Sequence, residues 1–186
     1  MFVENVAFEP VPDYARVQSD VLRQVRARLL AEPSLAGTLD SSFRALERRQ
    51  PAIASFVAHD LAGIDAPTAQ GVAYFLSLLV VLSFEEAFGQ RLGCIELADL
   101  TLALDLLLAD GEVRARGSAG QFYSEDALAV GQPAILKLLR TELDVALHAM
   151  SGTAGNERDA IESAQLEAFY QTLLVLTVAL THAVVP

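Results

Sequence analysis

Apolar residues recur at spacings of three and four along most of this chain, and polar residues fill the positions between them. That spacing is typical of helices with one buried face. It predicts about eight helices, at roughly 14–31, 40–49, 51–61, 66–88, 95–110, 124–131, 133–150 and 160–184. A GSAG turn predicts the one non-helical feature, a short β-hairpin over 112–124. The fold class is therefore expected to be all-α.

Several residues mark helix boundaries. Pro51 and Pro133 suit a first helical turn, where the missing N–H is not needed. Asp13 and Asp65 are expected to cap the helices that follow them, and Gly89 is expected to end the long fourth helix.

Two stretches, 72–84 and 169–186, are apolar almost all round. A membrane span needs about 20 apolar residues, and the first stretch is shorter and runs directly into Glu85 and Glu86. The second contains Gln171 and no flanking Lys or Arg, which favours a buried helix over the alternative of a C-terminal anchor. Both helices are expected at the centre of the fold.

The chain repeats itself. Gln-Pro-Ala-Ile occurs at 50–53 and again at 132–135, and AQGVAYFLSLLV (69–80) matches AQLEAFYQTLLV (164–175) at six of twelve positions. This predicts a duplicated four-helix unit, with copies at 13–90 and 95–186 related by an approximate two-fold within one helical domain, 1–186.

The repeat includes glutamines that are expected to make hydrogen bonds at helix ends. They are Gln50, Gln132, Gln70 and Gln165. The alternative is a pair of equivalent ligand sites built on these side chains.

The composition of the chain excludes several classes of partner. The chain of 186 residues is 53% hydrophobic and has a mean hydropathy of +0.37 and a net charge of −11. Without clustered basic residues, neither nucleic acid nor an anionic membrane is an expected partner. The single cysteine, Cys94, excludes an internal disulfide, and the N-terminus lacks a signal-peptide pattern, so a cytoplasmic location is expected.

Polar residues found in only one half are better candidates for function than residues shared by both. Glu85 and Glu86 qualify, since their counterparts are Leu180 and Thr181. One interpretation is a functional carboxylate. The other is that one glutamate is solvated and the other pairs with an arginine such as Arg91.

His59 and Asp60 are further candidates for a polar site near a helix end. Asp144 and His148 lie one turn apart and are expected to share a helix face. The spacings typical of metal ligands, nucleophile motifs and phosphate-binding loops do not occur, so neither a metal nor another cofactor is expected.

Two functions remain open. The first is a non-catalytic protein–protein interaction or regulatory module, whose partner is a basic protein or a second copy of the chain in a homodimer. The second is a small-molecule-binding protein or an enzyme with an apolar pocket between the two central helices. That pocket would be lined by Tyr74, Phe75, Phe169 and Tyr170.

Overall fold

The computed structural model describes residues 11–31, 35–116, 131–151 and 157–186. Within these ranges it has seven α-helices and no strand, so the all-α prediction is confirmed. The helices are α1 (Ser19–Ala31), α2 (Leu35–Arg49), α3 (Pro51–Leu61), α4 (Pro67–Phe88), α5 (Leu97–Arg116), α6 (Pro133–Ser151) and α7 (Glu157–His182). The eighth helix, predicted over 124–131, lies outside the described residues except for its last position.

The two apolar helices α4 and α7 pack along each other, as predicted. Around them, α1, α2, α3 and α6 pack on α4, while α3, α5 and α6 pack on α7. Because neighbours surround both helices, every residue of 76–81 and of 172–181 is buried. A helix buried on all sides needs no polar face, which explains the missing amphipathic pattern.

By length and composition alone, two described helices are long and apolar enough to cross a membrane, Pro67–Arg91 and Ala164–His182. Of the most apolar window in each helix, 56% and 67% of the residues are buried inside the fold. Three buried hydroxyl groups within these helices are satisfied by their own helix backbone. Ser77, Ser83 and Thr177 each donate to the carbonyl four residues earlier, at 2.6–2.8 Å.

The predicted start of the first helix is wrong. Asp13 opens a separate 3-10 turn, Asp13–Ala15, and α1 begins only at Ser19. Between them the chain is extended at Arg16, because Gln132 binds the backbone there through hydrogen bonds described below. The second helix begins at Leu35, earlier than the predicted position near 40.

The expected cap at Asp65 is also wrong. Ala66 occupies the N-cap position of α4 and makes no side-chain cap bond. Pro67 follows in the first turn, where its lack of an N–H removes one of the backbone groups that the start of a helix leaves unpaired.

The predicted hairpin is wrong over its first part. Residues 112–116 continue α5, which passes through Gly111 to Arg116. A glycine inside a helix costs only about 1 kcal/mol relative to alanine, so the surrounding helical pattern outweighs it. The GSAG turn itself lies outside the described residues.

Gly89 ends α4, as predicted, with a left-handed φ of +53° that favours glycine. The chain after it meets the C-terminus: Leu92 forms an isolated antiparallel bridge with Val184. The Val185 N–H donates to the Arg91 carbonyl at 2.9 Å. These bonds hold the segment that leads into α5 beside the end of α7.

Candidate functional site

Gln132 occupies the position just before Pro133, and its carbonyl accepts the first hydrogen bond of α6. Short polar residues normally cap a helix at this position. Here the longer side chain reaches away from its own helix and is fully buried. Its Oε1 accepts from the Val17 N–H at 3.0 Å, while its Nε2 donates to the Ala15 carbonyl at 2.6 Å and to Thr181 Oγ1 at 3.1 Å.

Gln50 makes the same arrangement before Pro51. Its Oε1 accepts from the Ile95 N–H at 2.8 Å, and its Nε2 donates to the Gly93 carbonyl at 3.1 Å. In both cases the side-chain amide binds a carbonyl and the N–H two residues later. We call each arrangement a glutamine clamp.

The two clamps are reciprocal. Gln50 holds the segment that leads into α5, and Gln132 holds the segment that leads into α1. The predicted hydrogen-bonding role of these glutamines is thus confirmed, and their amide groups are occupied by backbone. Gln70 also bonds as predicted, to the Leu61 carbonyl at 3.2 Å. Gln165 differs, since its buried Oε1 accepts no hydrogen bond among the described residues.

Glu85 lies at the C-terminal end of α4 and binds the last residue of α2. Arg49 meets it in a bidentate pair, with Nε–Oε1 at 3.0 Å and the second nitrogen at 2.7 Å from Oε2. The Glu85 side chain is 21% exposed, so it is partly shielded from water. Arg49 is also the last residue of α2, where its positive charge interacts favourably with the negative end of the helix dipole.

Glu86 points elsewhere and pairs with Arg28 of α1 at 2.9 Å. The two glutamates therefore join α4 to two different helices. The arginine expected from the sequence, Arg91, is not the partner of either glutamate; its guanidinium lies 5.4 Å from the centre of the Phe88 ring. Arg49 and Arg28 are closer because α1 and α2 pack on α4, which the chain order does not reveal.

Asp60 and His59 lie at the other end of the fold. Asp60 is near the end of α3, which leads directly into the start of α4, and Glu85 lies roughly 27 Å further along α4 at 1.5 Å per residue. Thr172 of α7 donates to the Asp60 carboxylate at 2.6 Å, while His59 is exposed. The structure thus does not bring the four polar candidates into one site.

The four aromatic candidates differ in exposure. Phe169 and Tyr170 are buried, and Tyr74 and Phe75 are half-buried. The Tyr74 ring lies 4.8 Å from the ring of Phe43 of α2. Burial, assisted by two acidic side chains of α2, raises the pKa of Tyr74 to about 12. Tyr74 therefore keeps its proton throughout the physiological range.

His148 contacts the backbone carbonyl of Asp144 at 2.9 Å through Nδ1. The expected neighbours on one helix face are therefore in contact, through the main chain. Among the described residues, no three His, Cys, Asp or Glu side chains are grouped so that they could hold a metal ion. What the described polar groups do is hold helices together.

Two features were not anticipated from sequence. Arg26 of α1 makes a bidentate pair with Glu142 of α6, at 2.6 and 3.3 Å. Leucines of α5 lie on the surface, because this helix is rich in leucine on more than one face. The leucines on more than one face of α5 were a sequence signal for its exposed leucines. No sequence signal specified the pair of Arg26 with Glu142.

Comparison with protein-family models, with curated proteins and with solved structures finds no match for this chain. The side chains and their geometry are therefore the basis on which a function is proposed.

Proposed function

We propose that this protein is a non-catalytic, cytoplasmic helical module that binds another protein. The carboxylates that were the candidates for chemistry are engaged in contacts between helices: Glu85 and Glu86 with arginines, and Asp60 with a threonine. Both oxygens of the Glu85 carboxylate are occupied by the bidentate pair with Arg49, which suits a structural role.

The observation that carries the proposal is the distribution of exposed apolar side chains. Eight large apolar side chains are exposed among the described residues, and four of them belong to α5. Single exposed leucines are ordinary, but their concentration on one helix is typical of a binding surface. The opposite face of α5 packs on α7, so the helix is anchored while it presents these leucines.

We also propose that the chain consists of two copies of a four-helix unit. Three observations support this proposal: the sequence repeat, the two glutamine clamps with the same pattern of backbone partners, and the packing of α1 on α4, which corresponds to that of α5 on α7. In this scheme the clamps join the two copies, because each glutamine binds backbone of the opposite copy or of the linker before it.

The function is tested by purifying the tagged full chain from its native cells and measuring the complex by native mass spectrometry. A protein bound in stoichiometric amount is the expected result. A small molecule bound in stoichiometric amount, with no protein partner, would contradict the proposal and favour a pocket between α4 and α7. A chain with alanine at Tyr74, Phe75, Phe169 and Tyr170 would then be expected to lose that molecule.

A further inference from the structure

Three of the four exposed leucines of α5 form a stripe, while the fourth, Leu102, lies on another side of the helix. Leu97, Leu104 and Leu108 recur at spacings of seven and four, which places them on one side of the helix. They are 65%, 38% and 59% exposed. Leu100 and Leu107 of the same helix are buried against the core. We call these three exposed leucines the α5 stripe.

Helix α1 provides an internal comparison. Since the clamps bind Val17 and Ile95 in the same way, Ser19, Arg26 and Leu30 of α1 stand at the positions of the α5 stripe. Only one of these three is apolar, and Arg26 bonds to Glu142 instead. Helix α1, which occupies the position corresponding to α5, therefore folds without a leucine stripe. Packing alone thus does not account for the exposed leucines of α5.

The surroundings of the α5 stripe are acidic. Glu96, Asp99 and Asp105 are exposed on or beside the helix, and its two basic residues, Arg114 and Arg116, come in its last turn, beyond the stripe. A second copy bound at this stripe would bring together two chains that each carry a net charge of −11, which is unfavourable. A partner with basic residues flanking its apolar side chains would instead be attracted.

We propose that the α5 stripe binds an amphipathic helix of a partner protein, whose apolar face is flanked by Lys or Arg. Apolar residues three and four apart on the partner helix would lie between the leucines, and a cation beside its apolar face would meet Asp105, which lies about 80° around α5 from the stripe. This inference rests on the proposed function and adds to it the surface and the chemistry of the partner.

The test uses the full chain and a fluorescent synthetic helix of leucine and lysine, about 18 residues or roughly five turns long. Its control is the same peptide with glutamate in place of lysine. Fluorescence anisotropy measures affinity for the wild type and for the double variant Leu104→Ser with Leu108→Ser. The matched control variant is Leu30→Ser, which changes an exposed leucine at the corresponding position of α1.

The expected result is one peptide bound per chain, with the affinity reduced by about tenfold or more in the double variant and nearly unchanged in Leu30→Ser. Binding should also weaken as salt is added. Equal affinity for the lysine and glutamate peptides, or equal affinity of all protein variants, would overturn the proposal. A dimer of the chain that the double variant abolishes would overturn it too, since the occupant would then be a second copy.

The proposed function can survive the failure of this inference. If the stoichiometric partner still binds the double variant, the interaction function stands and the α5 stripe is not its surface.

Discussion

Replacing Gln132 with leucine removes the three hydrogen bonds of its clamp while keeping a side chain of similar bulk. Thr181 keeps its own bond to the Thr177 carbonyl at 2.6 Å, so little is lost there. The Val17 N–H and the Ala15 carbonyl, however, are left buried without a partner. Each such group costs about 1–3 kcal/mol, so Gln132→Leu is expected to destabilise the fold by about 2–6 kcal/mol.

Gln50→Leu is expected to cost less, about 1–3 kcal/mol. Gly93 is exposed, so water can replace the amide at its carbonyl, and only the Ile95 N–H is stranded. The control is Gln24→Leu, on the exposed side of α1, which should change stability by about 0.5 kcal/mol or less.

Urea denaturation followed by far-ultraviolet circular dichroism measures all three variants. Amide hydrogen exchange adds a local readout: the Val17 amide should exchange faster in Gln132→Leu, and the Ile95 amide faster in Gln50→Leu. A Gln132→Leu chain that is no less stable than Gln24→Leu, with Val17 still protected, would refute the clamp as a source of stability.

Three further predictions concern backbone, ion pairs and pH. Gly71→Ala should stabilise the protein by about 0.5–1 kcal/mol, because Gly71 is helical and there is open space where a Cβ would lie. Gly89→Ala should destabilise the protein by about 1 kcal/mol, because Gly89 has a positive φ. Thermal melting should therefore show shifts of the melting temperature in opposite directions, and shifts of the same sign would contradict this prediction. Glu85→Gln should lower the free energy of unfolding by about 0.5–1 kcal/mol, and Glu86→Gln should lower it by less, since Glu85 makes a bidentate pair and is better shielded from water. Equal losses of stability in urea denaturation would contradict that difference. The folded state holds the proton of Tyr74 to about pH 12, while the unfolded chain releases it near 10.0, so stability should fall as pH rises through this window. Tyr74→Phe should flatten that fall, and an unchanged profile in denaturation measured against pH would contradict the assignment.

The helical fold could be predicted in outline because its signals are local. Pro51 and Pro133 begin helices and Gly89 ends one, and each acts through its own backbone restrictions. The absence of a polar face in α4 and α7 likewise indicated their central position. Local signals were misleading where a distant group competes: Asp13 has the chemistry of a helix cap, but Gln132 holds the following residues extended.

The candidate site was less predictable, because ion pairs depend on which helices become neighbours. Arg91 is close to Glu85 and Glu86 in sequence, yet the arginines that bind them come from α2 and α1. Long flexible side chains carry little positional information until packing places their ends.

The amino-acid sequence by itself therefore determined the helical class, most helix boundaries and the two apolar helices at the centre, since these follow from hydrophobic period and backbone restrictions of single residues. The tertiary structure alone decided which backbone segments the glutamines bind, which arginines neutralise the glutamates and which leucines of α5 remain in water. These outcomes depend on the relative placement of whole helices, and a hydrogen bond or a buried face exists only after distant parts of the chain have come together.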